Sequence, residues 1–338
     1  ANPPDIIFTS CATEADNLAI KGLVEAMKAK GVGQPHLIVS SIEHHAVLDT
    51  VKHLQKQGVE VTRLKVDKDG LVDPREIKQT IKENTVLVSV MYGNNEVGTI
   101  EPIEEIGKLI KEINVSRLTY HLSLVYFHTD AVQAFQYLDC QVDKLGVDLL
   151  CLSAHKFYGP KGVGVLYVRK GTPLVRQQDG GNQESNSRAG TENVAGIVGM
   201  GKAIELVKSQ KSKIKSQIER LRDRLIAGVL KNVPGAVLTG HPQKRLPHIA
   251  SFVIPGAEGE SILLLLDEAG VAASSGSACT SGLLEPSHVL MAMGFKPEDS
   301  HGSLRFSLGH QTTEEEVDFV IEILPGIVEK LRKMAPKL

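Results

Sequence analysis

The sequence predicts a mostly parallel α/β sheet covered by helices on both faces, followed by a smaller α+β lobe. Up to about residue 190, short β-branched runs alternate with amphipathic stretches of helical period, as strands joined by helical crossovers do. Beyond that point one long helical stretch leads into a few short elements. The 338 residues exceed one minimal domain and suit one large domain with a smaller one, or two of similar size.

Taken in order, residues 5–9 read as the first strand. Residues 12–28 read as the first helix, in which Leu18, Ala19, Leu23, Val24 and Met27 recur at helical spacing. A strand at 37–39 precedes a helix at 46–57 that Gly58 ends, and a strand at 61–66 precedes a helix at 74–82 that Asp73-Pro74 opens. A buried strand at 86–91, a helix at 103–113 and strands at 122–127, 149–152 and 163–168 complete the alternation. Residues 192–230 form the long helix; no heptad seam is sustained, so it joins two lobes and is not a coiled coil. After the break at Pro234-Gly235 come a strand (249–254), a helix (261–269), a small-residue loop (272–282), a strand (304–308) and a closing helix (314–333).

Composition excludes several classes. Apolar residues at 42% and charged ones at 23% fit a globular enzyme, not a disordered chain, a collagen or a rod. The longest aliphatic run, residues 262–266, is far too short to cross a bilayer, so no membrane association is expected. Thirty-eight basic against 40 acidic residues leave a net charge of −2, and there is no Trp; direct nucleic-acid binding is not expected. The first residues have neither a basic start nor an apolar core, and the four cysteines form no C-x-x-C pair. Both fit free thiols in a reducing, cytoplasmic setting.

The densest chemical signal is 153–162, S-A-H-K-F-Y-G-P-K-G, at a strand end where ligands of α/β sheets bind. Lys156 there suits a Schiff base to an aldehyde cofactor whose phosphate its neighbours hold; a surface lysine in a turn is the plainer alternative. Asp130, just past another strand, could pair with a pyridinium nitrogen and Gln133 could donate to a ring oxygen, while a helix cap explains Asp130 equally well. Gly93 to Gly98 suits a turn. Thr13 opens a helix whose N-terminus favours a phosphate, or simply caps it. Cys279 sits in a small, polar loop that is no core environment, so the loop could carry a nucleophile. Arg305, in a strand of the second lobe, could grip a carboxylate or join a surface ion pair.

Together these residues resemble the cysteine desulfurases, pyridoxal 5'-phosphate (PLP) enzymes of aminotransferase class V. The motifs run in the family's order: T-S-x-A-T-E at 9–14, E-H at 43–44, N-N-E-x-G at 94–98, H-x-D-A-x-Q at 128–133, S-x-H-K-x-x-G-P-K-G at 153–162, R-A-G-T-E-N at 188–193, S-S-G-S-A-C-T-S-G at 274–282 and R-F-S-L-G at 305–309. The resemblance covers essentially the whole chain. It implies a PLP-dependent transferase of fold type I with a seven-stranded-type sheet. Residues 1–195 would form the large PLP-binding domain, 196–232 a connecting helix, and 233–338 a small α+β domain carrying the Cys279 loop.

The resemblance also implies roles. Lys156 binds PLP and moves the substrate's α-proton, Asp130 pairs with the pyridine nitrogen, Gln133 bonds the ring hydroxyl, and His44 is catalytic too, stacking on the ring and shuttling protons. Ala12, Thr13, Ser153 and His155 hold the phosphate, and Thr191 reaches the phosphate of the neighbouring subunit, which implies a homodimer. Asn95 lies by the cofactor and, with Arg305, binds the carboxylate of L-cysteine. Cys279 takes the sulfur as a persulfide for a sulfur acceptor or iron–sulfur scaffold protein. No dedicated metal site is implied, the Cys279 persulfide being at most a shared iron–sulfur ligand. Alternatives are a selenocysteine lyase, a class V aminotransferase and a non-catalytic homologue that only binds an acceptor or scaffold.

Four departures from the family follow. The sequence starts after the position where the resemblance places an arm with D-N-x-A-T-T and N-P-S-S segments, so substrate contacts and part of the small lobe and dimer surface are expected to come from residues outside it. Cys11 replaces a usual Gly and would crowd the turn if the turn needs positive φ. Residues 114–123 are a short extra stretch. Ser185 and Ser187 stand where many relatives carry Arg, at the subunit boundary.

Overall fold

The computed structural model describes residues 1–276 and 286–334, apart from the side chains of residues 210, 211 and 213. The expected position of Cys279 therefore lies outside the described residues. The chain divides into two compact units. The first holds Ala1–Lys65, Val72–Gly93 and Glu101–Gln210; the second holds Val66–Leu71, Asn94–Ile100 and the chain from Lys211 onward.

The first unit alternates strand and helix as its sequence requires: β1 (Ile6–Thr9), α1 (Ala12–Ala29), β2 (His36–Ser40), α2 (His45–Lys56), β3 (Glu60–Leu64), α3 (Pro74–Thr80), β4 (Thr85–Ser89), α4 (Ile103–Thr119), β5 (Tyr126–Asp130), α5 (Val142–Leu145), β6 (Leu149–Ser153), β7 (Gly164–Val168) and the short turn α6 (Gln183–Asn186). Seven strands form one sheet in the order β1-β7-β6-β5-β4-β2-β3. Only β7 runs against its neighbours. Strands β2, β4 and β6 are buried at every residue, as strands covered on both faces must be. The carboxyl ends of β1, β2, β4, β5 and β6 share one edge, and the turns leaving it carry most of the site.

Helix α1 buries Ala15, Leu18, Ala19, Leu23, Val24 and Met27 on the face that packs against β6 and β7; Asp16 is buried among them. Leu23, Leu37, Val47, Val86, Leu149 and Leu166 belong to this core. The strand expected at 122–127 instead occupies Tyr126–Asp130, because α4 continues to Thr119 and takes up most of the extra stretch. Side chains fix this ending. Asn114 donates to the Val125 carbonyl (2.8 Å) and accepts its N–H (2.9 Å). Buried Arg117 donates to the carbonyls of Ser123 (2.5 Å), Lys82 (2.9 Å), Glu83 (2.6 Å) and Thr85 (3.2 Å).

Helix α7 (Val194–Asn232) belongs partly to each unit. The second unit adds β8 (Val237–Leu238), β9 (Ile249–Val253), α8 (Gly259–Glu268), α9 (His288–Ala292), α10 (Pro297–Ser300), β10 (Ser303–Ser307) and α11 (Glu314–Met334). Its sheet, β10-β9-β8, is antiparallel, and α8 packs with α11. Three glutamates open α11 and Arg332 and Lys333 close it, each charge opposing the helix dipole. The short elements α5, α6, α9, α10 and β8 fall below the length at which periodicity is readable. No helix among the described residues is long and apolar enough to cross a membrane.

Candidate active site

The turn from β1 into α1 shapes the first part of the site. Thr9 Oγ1 donates to the Cys11 carbonyl (2.9 Å), and Cys11 is the N-cap at φ −170° and ψ 171°. That is extended backbone, which any residue adopts, so Cys11 does not strain the turn as a positive φ would have required. The need for glycine falls on Gly164 of β7 instead, where a Cβ would lie 2.6 Å from the Cys11 carbonyl carbon. The Cys11 side chain caps nothing, so among the described residues no side chain engages the first N–H groups of α1, and Thr13 stands exposed there. Glu14 braces the turn. It accepts from the Ser10 N–H (2.8 Å) and hydroxyl (2.5 Å) and from Arg188 Nε (2.7 Å). Burial alone would raise this carboxyl; Arg188 and Ser10 outweigh it and hold it below the ordinary value. The pair ties the loop carrying Thr191 to the turn carrying Thr13. Thr191 itself is exposed.

The other turns carry six more of the predicted residues. Asp130 ends β5, is 6% exposed, and accepts from the Val132 N–H (2.9 Å). Burial pushes its carboxyl well up and Asp16 adds to this, against the Val132 N–H and the Lys156 ammonium. Lys156 lies in the tight turn 154–157 after β6, is exposed, and makes no hydrogen bond or ion pair among the described residues. Buried Ser153 and exposed His155 meet through Oγ and Nδ1 at 3.0 Å. Burial, Lys156 and Lys161 all hold His155 below its ordinary value. His44 caps α2, its Nδ1 accepting from the Ala46 N–H (3.1 Å), which leaves the proton of the neutral ring on Nε2. Burial lowers the His44 pKa against the pull of Asp16, with His45 and Lys156 lowering it further. Gln133, half-buried, follows Asp130 by three residues.

Behind Asp130 lies a polar cluster to which the sequence reading gave no role. His128 sits two residues earlier on β5, on the same face of the sheet. Its Nδ1 meets Ser89 Oγ at 2.8 Å, and its Nε2 lies 3.3 Å from both Cys151 Sγ and Asp16 Oδ1. Cys151 faces Asp130 in register, as Ser89 faces His128. Asp16 is 1% exposed and neither of its oxygens accepts a hydrogen bond. Glu43, fully buried, accepts from Ser40 Oγ (2.5 Å) and the Met91 N–H (2.7 Å); burial drives its carboxyl well up. The one sequence signal was the His two places before Asp130; Asp16, an acid within an amphipathic helix, gave none.

Asn95 and Arg305 belong to the second unit, and there they meet: Arg305 Nη1 donates to the Asn95 carbonyl (2.6 Å). Arg305 also pairs through its backbone with Ser274 (3.0 and 2.6 Å). Next to Asn95, Glu96 is 6% exposed and accepts from Ser287 Oγ (2.5 Å). Burial raises its carboxyl to about 7, against Ser287 and Arg305. Ser287 also caps α9 by accepting from the Leu290 N–H (3.2 Å).

A primary amine, a buried carboxyl and an uncapped helix N-terminus with Thr13 form, within the first unit, the chemical complement of a phosphorylated pyridine aldehyde. The similarities agree with this. The aminotransferase class-V family profile matches residues 1–320. A cysteine desulfurase IscS of Dictyoglomus turgidum is 50% identical over 336 residues, spanning 99% of this chain and 82% of that protein. One of Methanosarcina thermophila is 52% identical over 99% of this chain and 80% of its own. A solved structure described as a NifS-like protein superposes with a TM-score of 0.88 at 36% identity, covering 98% of this chain and 84% of its own. The chain belongs to the aminotransferase class-V family.

Proposed function

We propose that the protein is a PLP-dependent cysteine desulfurase that converts L-cysteine to L-alanine and keeps the sulfur as a persulfide on Cys279. The observation that carries the reading is Lys156 in the turn after β6, without a hydrogen bond among the described residues and acting electrostatically on buried Asp130, in a chain of this family. When bound, PLP withdraws electrons from the substrate's α-carbon, the chemistry that loosens the carbon–sulfur bond.

The chain's own groups do the rest. Lys156 would hold the cofactor through its aldehyde, and its amine, when free, would move the substrate's α-proton. Asp130 would pair with the pyridine nitrogen, Gln133 would donate to the ring hydroxyl, and neutral His44 would stack on the ring and shuttle protons through its Nε2–H. The N–H groups from Ala12 onward, Thr13, Ser153 and His155 take the phosphate. Thr191 serves the phosphate of a second subunit in a homodimer; its exposed side chain supports that assignment. Arg305 and Asn95 bind the substrate carboxylate, Arg305 steadying the Asn95 backbone as it does so. The Cys279 thiolate attacks the substrate's sulfur: an S–S bond forms, the carbon–sulfur bond breaks, and a proton on carbon completes alanine. A sulfur acceptor or iron–sulfur scaffold protein, in a cytoplasmic setting, then receives the sulfur. The division into residues 1–195, 196–232 and 233–338 is part of the same reading.

The test is direct. The purified protein takes up PLP, borohydride fixes it at Lys156, and with a reductant cysteine yields alanine and sulfide in equal amounts. Lys156→Ala loses both the fixation and the turnover. Cys279→Ala keeps PLP and loses sulfide release. Sulfide release from Cys279→Ala at the wild-type rate refutes the persulfide step, and faster turnover of selenocysteine by that variant favours a selenocysteine lyase.

A further inference from the structure

We infer that Asp16 is a positioning residue for the cofactor: acting through Asp130, it biases the site toward a ring that carries a proton on its pyridine nitrogen. The inference rests on the PLP reading above. Its ground is geometry. Asp16 lies in the second turn of α1, on the side packed against the sheet, 3.3 Å from His128 Nε2 and behind the residue that ends β5. It is 1% exposed and takes no hydrogen bond. A carboxylate so placed is costly unless a positive charge offsets it.

The polar groups on this side of the sheet are Ser89 on β4, His128 and Asp130 on β5, Cys151 on β6, Glu43 and His44 ahead of α2, and Lys156 after β6. Burial and Asp16 both raise the Asp130 carboxyl. Among these groups the acids outnumber the fixed cations, of which Lys156 is the only one, and its amine is the group committed to the aldehyde. A pyridinium N–H beside Asp130 supplies these buried carboxyls with a positive charge, which His128, 3.3 Å from Asp16, offers only when protonated. An uncharged ring does not. Asp16 would therefore favour the protonated, electron-withdrawing form of the ring without touching it.

The test separates this role from structural support. Apoprotein is titrated with PLP and with 1-deaza-PLP, whose ring has a C–H in place of the nitrogen, and affinity is read from the absorbance of the bound cofactor. Asp16→Asn should weaken PLP by about tenfold to a hundredfold and leave the deaza analogue bound as in the wild type. Retained binding of that analogue also shows that the variant folds. Asp16→Glu, which restores the charge, should recover most of the preference for PLP. Equal losses for both ligands, or no loss for either, overturn the inference. Asp16, His128 and Cys151 offer donor atoms within 4.8 Å of one another. One tightly bound transition metal per wild-type chain, lost in Asp16→Asn, would overturn the inference by giving Asp16 a ligand's role. A wild-type chain that binds neither form of the cofactor overturns the PLP reading itself.

Discussion

The Glu96→Gln substitution should change how the stability of the protein depends on pH. Glu96 is 6% exposed, its carboxyl raised by burial from the ordinary 4.5 to about 7, against the hydrogen bond from Ser287 and the charge of Arg305. In the unfolded chain the same carboxyl ionises near 4.5. Below that value both states keep the proton, and the folded form loses nothing. As pH rises from 4.5 toward 7 the unfolded chain releases its proton while the folded one retains it, so stability falls by about 1.4 kcal/mol per pH unit. The loss is complete once pH passes the folded value and totals about 3 kcal/mol. Gln keeps the shape and the bond to Ser287 but cannot ionise. Urea unfolding of wild type and Glu96→Gln at half-unit steps from pH 4.5 to 8.5 cancels the other titrating groups, such as Glu43 and Asp130, in the difference. The variant should gain about 3 kcal/mol relative to wild type across the interval and then level off. A difference independent of pH would refute the reasoning, and so would a gain that runs toward acid.

Further outcomes follow from the same structure. Asp130→Asn should weaken PLP binding by about tenfold to a thousandfold, read by cofactor titration, because the ring nitrogen loses its counter-charge. Arg117→Met should lower the urea midpoint by the equivalent of about 3 kcal/mol or more, since four carbonyls lose a charged donor in a buried setting. Gly164→Ala should cost about 1–3 kcal/mol in the same assay, because its Cβ meets the Cys11 backbone, which cannot step aside. It should also weaken cofactor binding by shifting the start of α1.

The sequence made the strands of the first unit legible because β2, β4 and β6 are short, apolar and buried at every residue, β2 and β4 with β-branched residues and β6 with a leucine run. The reversal of β7 was not legible, since a run of Val, Leu and Tyr carries no direction. The start of β5 was misread because Leu122 to Val125 are as apolar as a strand, yet Arg117 binds the Ser123 carbonyl and Asn114 the backbone of Val125, ending α4 there. At the candidate site, strand ends drew attention to Lys156, Asp130, Ser153 and His155, but position alone favours a turn lysine and a helix cap for Lys156 and Asp130; only the motifs taken together point to a cofactor. Asp16 was hidden by its helical surroundings, where one acid on an amphipathic stretch reads as solvated. Glu96 was hidden too, because Asn and Gly around it read as a turn, and nothing local announces that Ser287, far along the chain, will bury it.

The second unit gathers residues 66–71 and 94–100 together with the chain from Lys211 onward, and this bears on how a ribosome can deliver it. The Asn95 carbonyl emerges 210 residues before the Arg305 that will hold it. At synthesis speeds of about 5–20 residues per second that wait is about 10–40 s. Throughout it the nascent first unit can settle, while two of its excursions stay unmatched and open to chaperones. A gene cut after residue 210 would leave both excursions without their complement, and the downstream piece expressed alone would lack them, so neither fragment should yield the second unit.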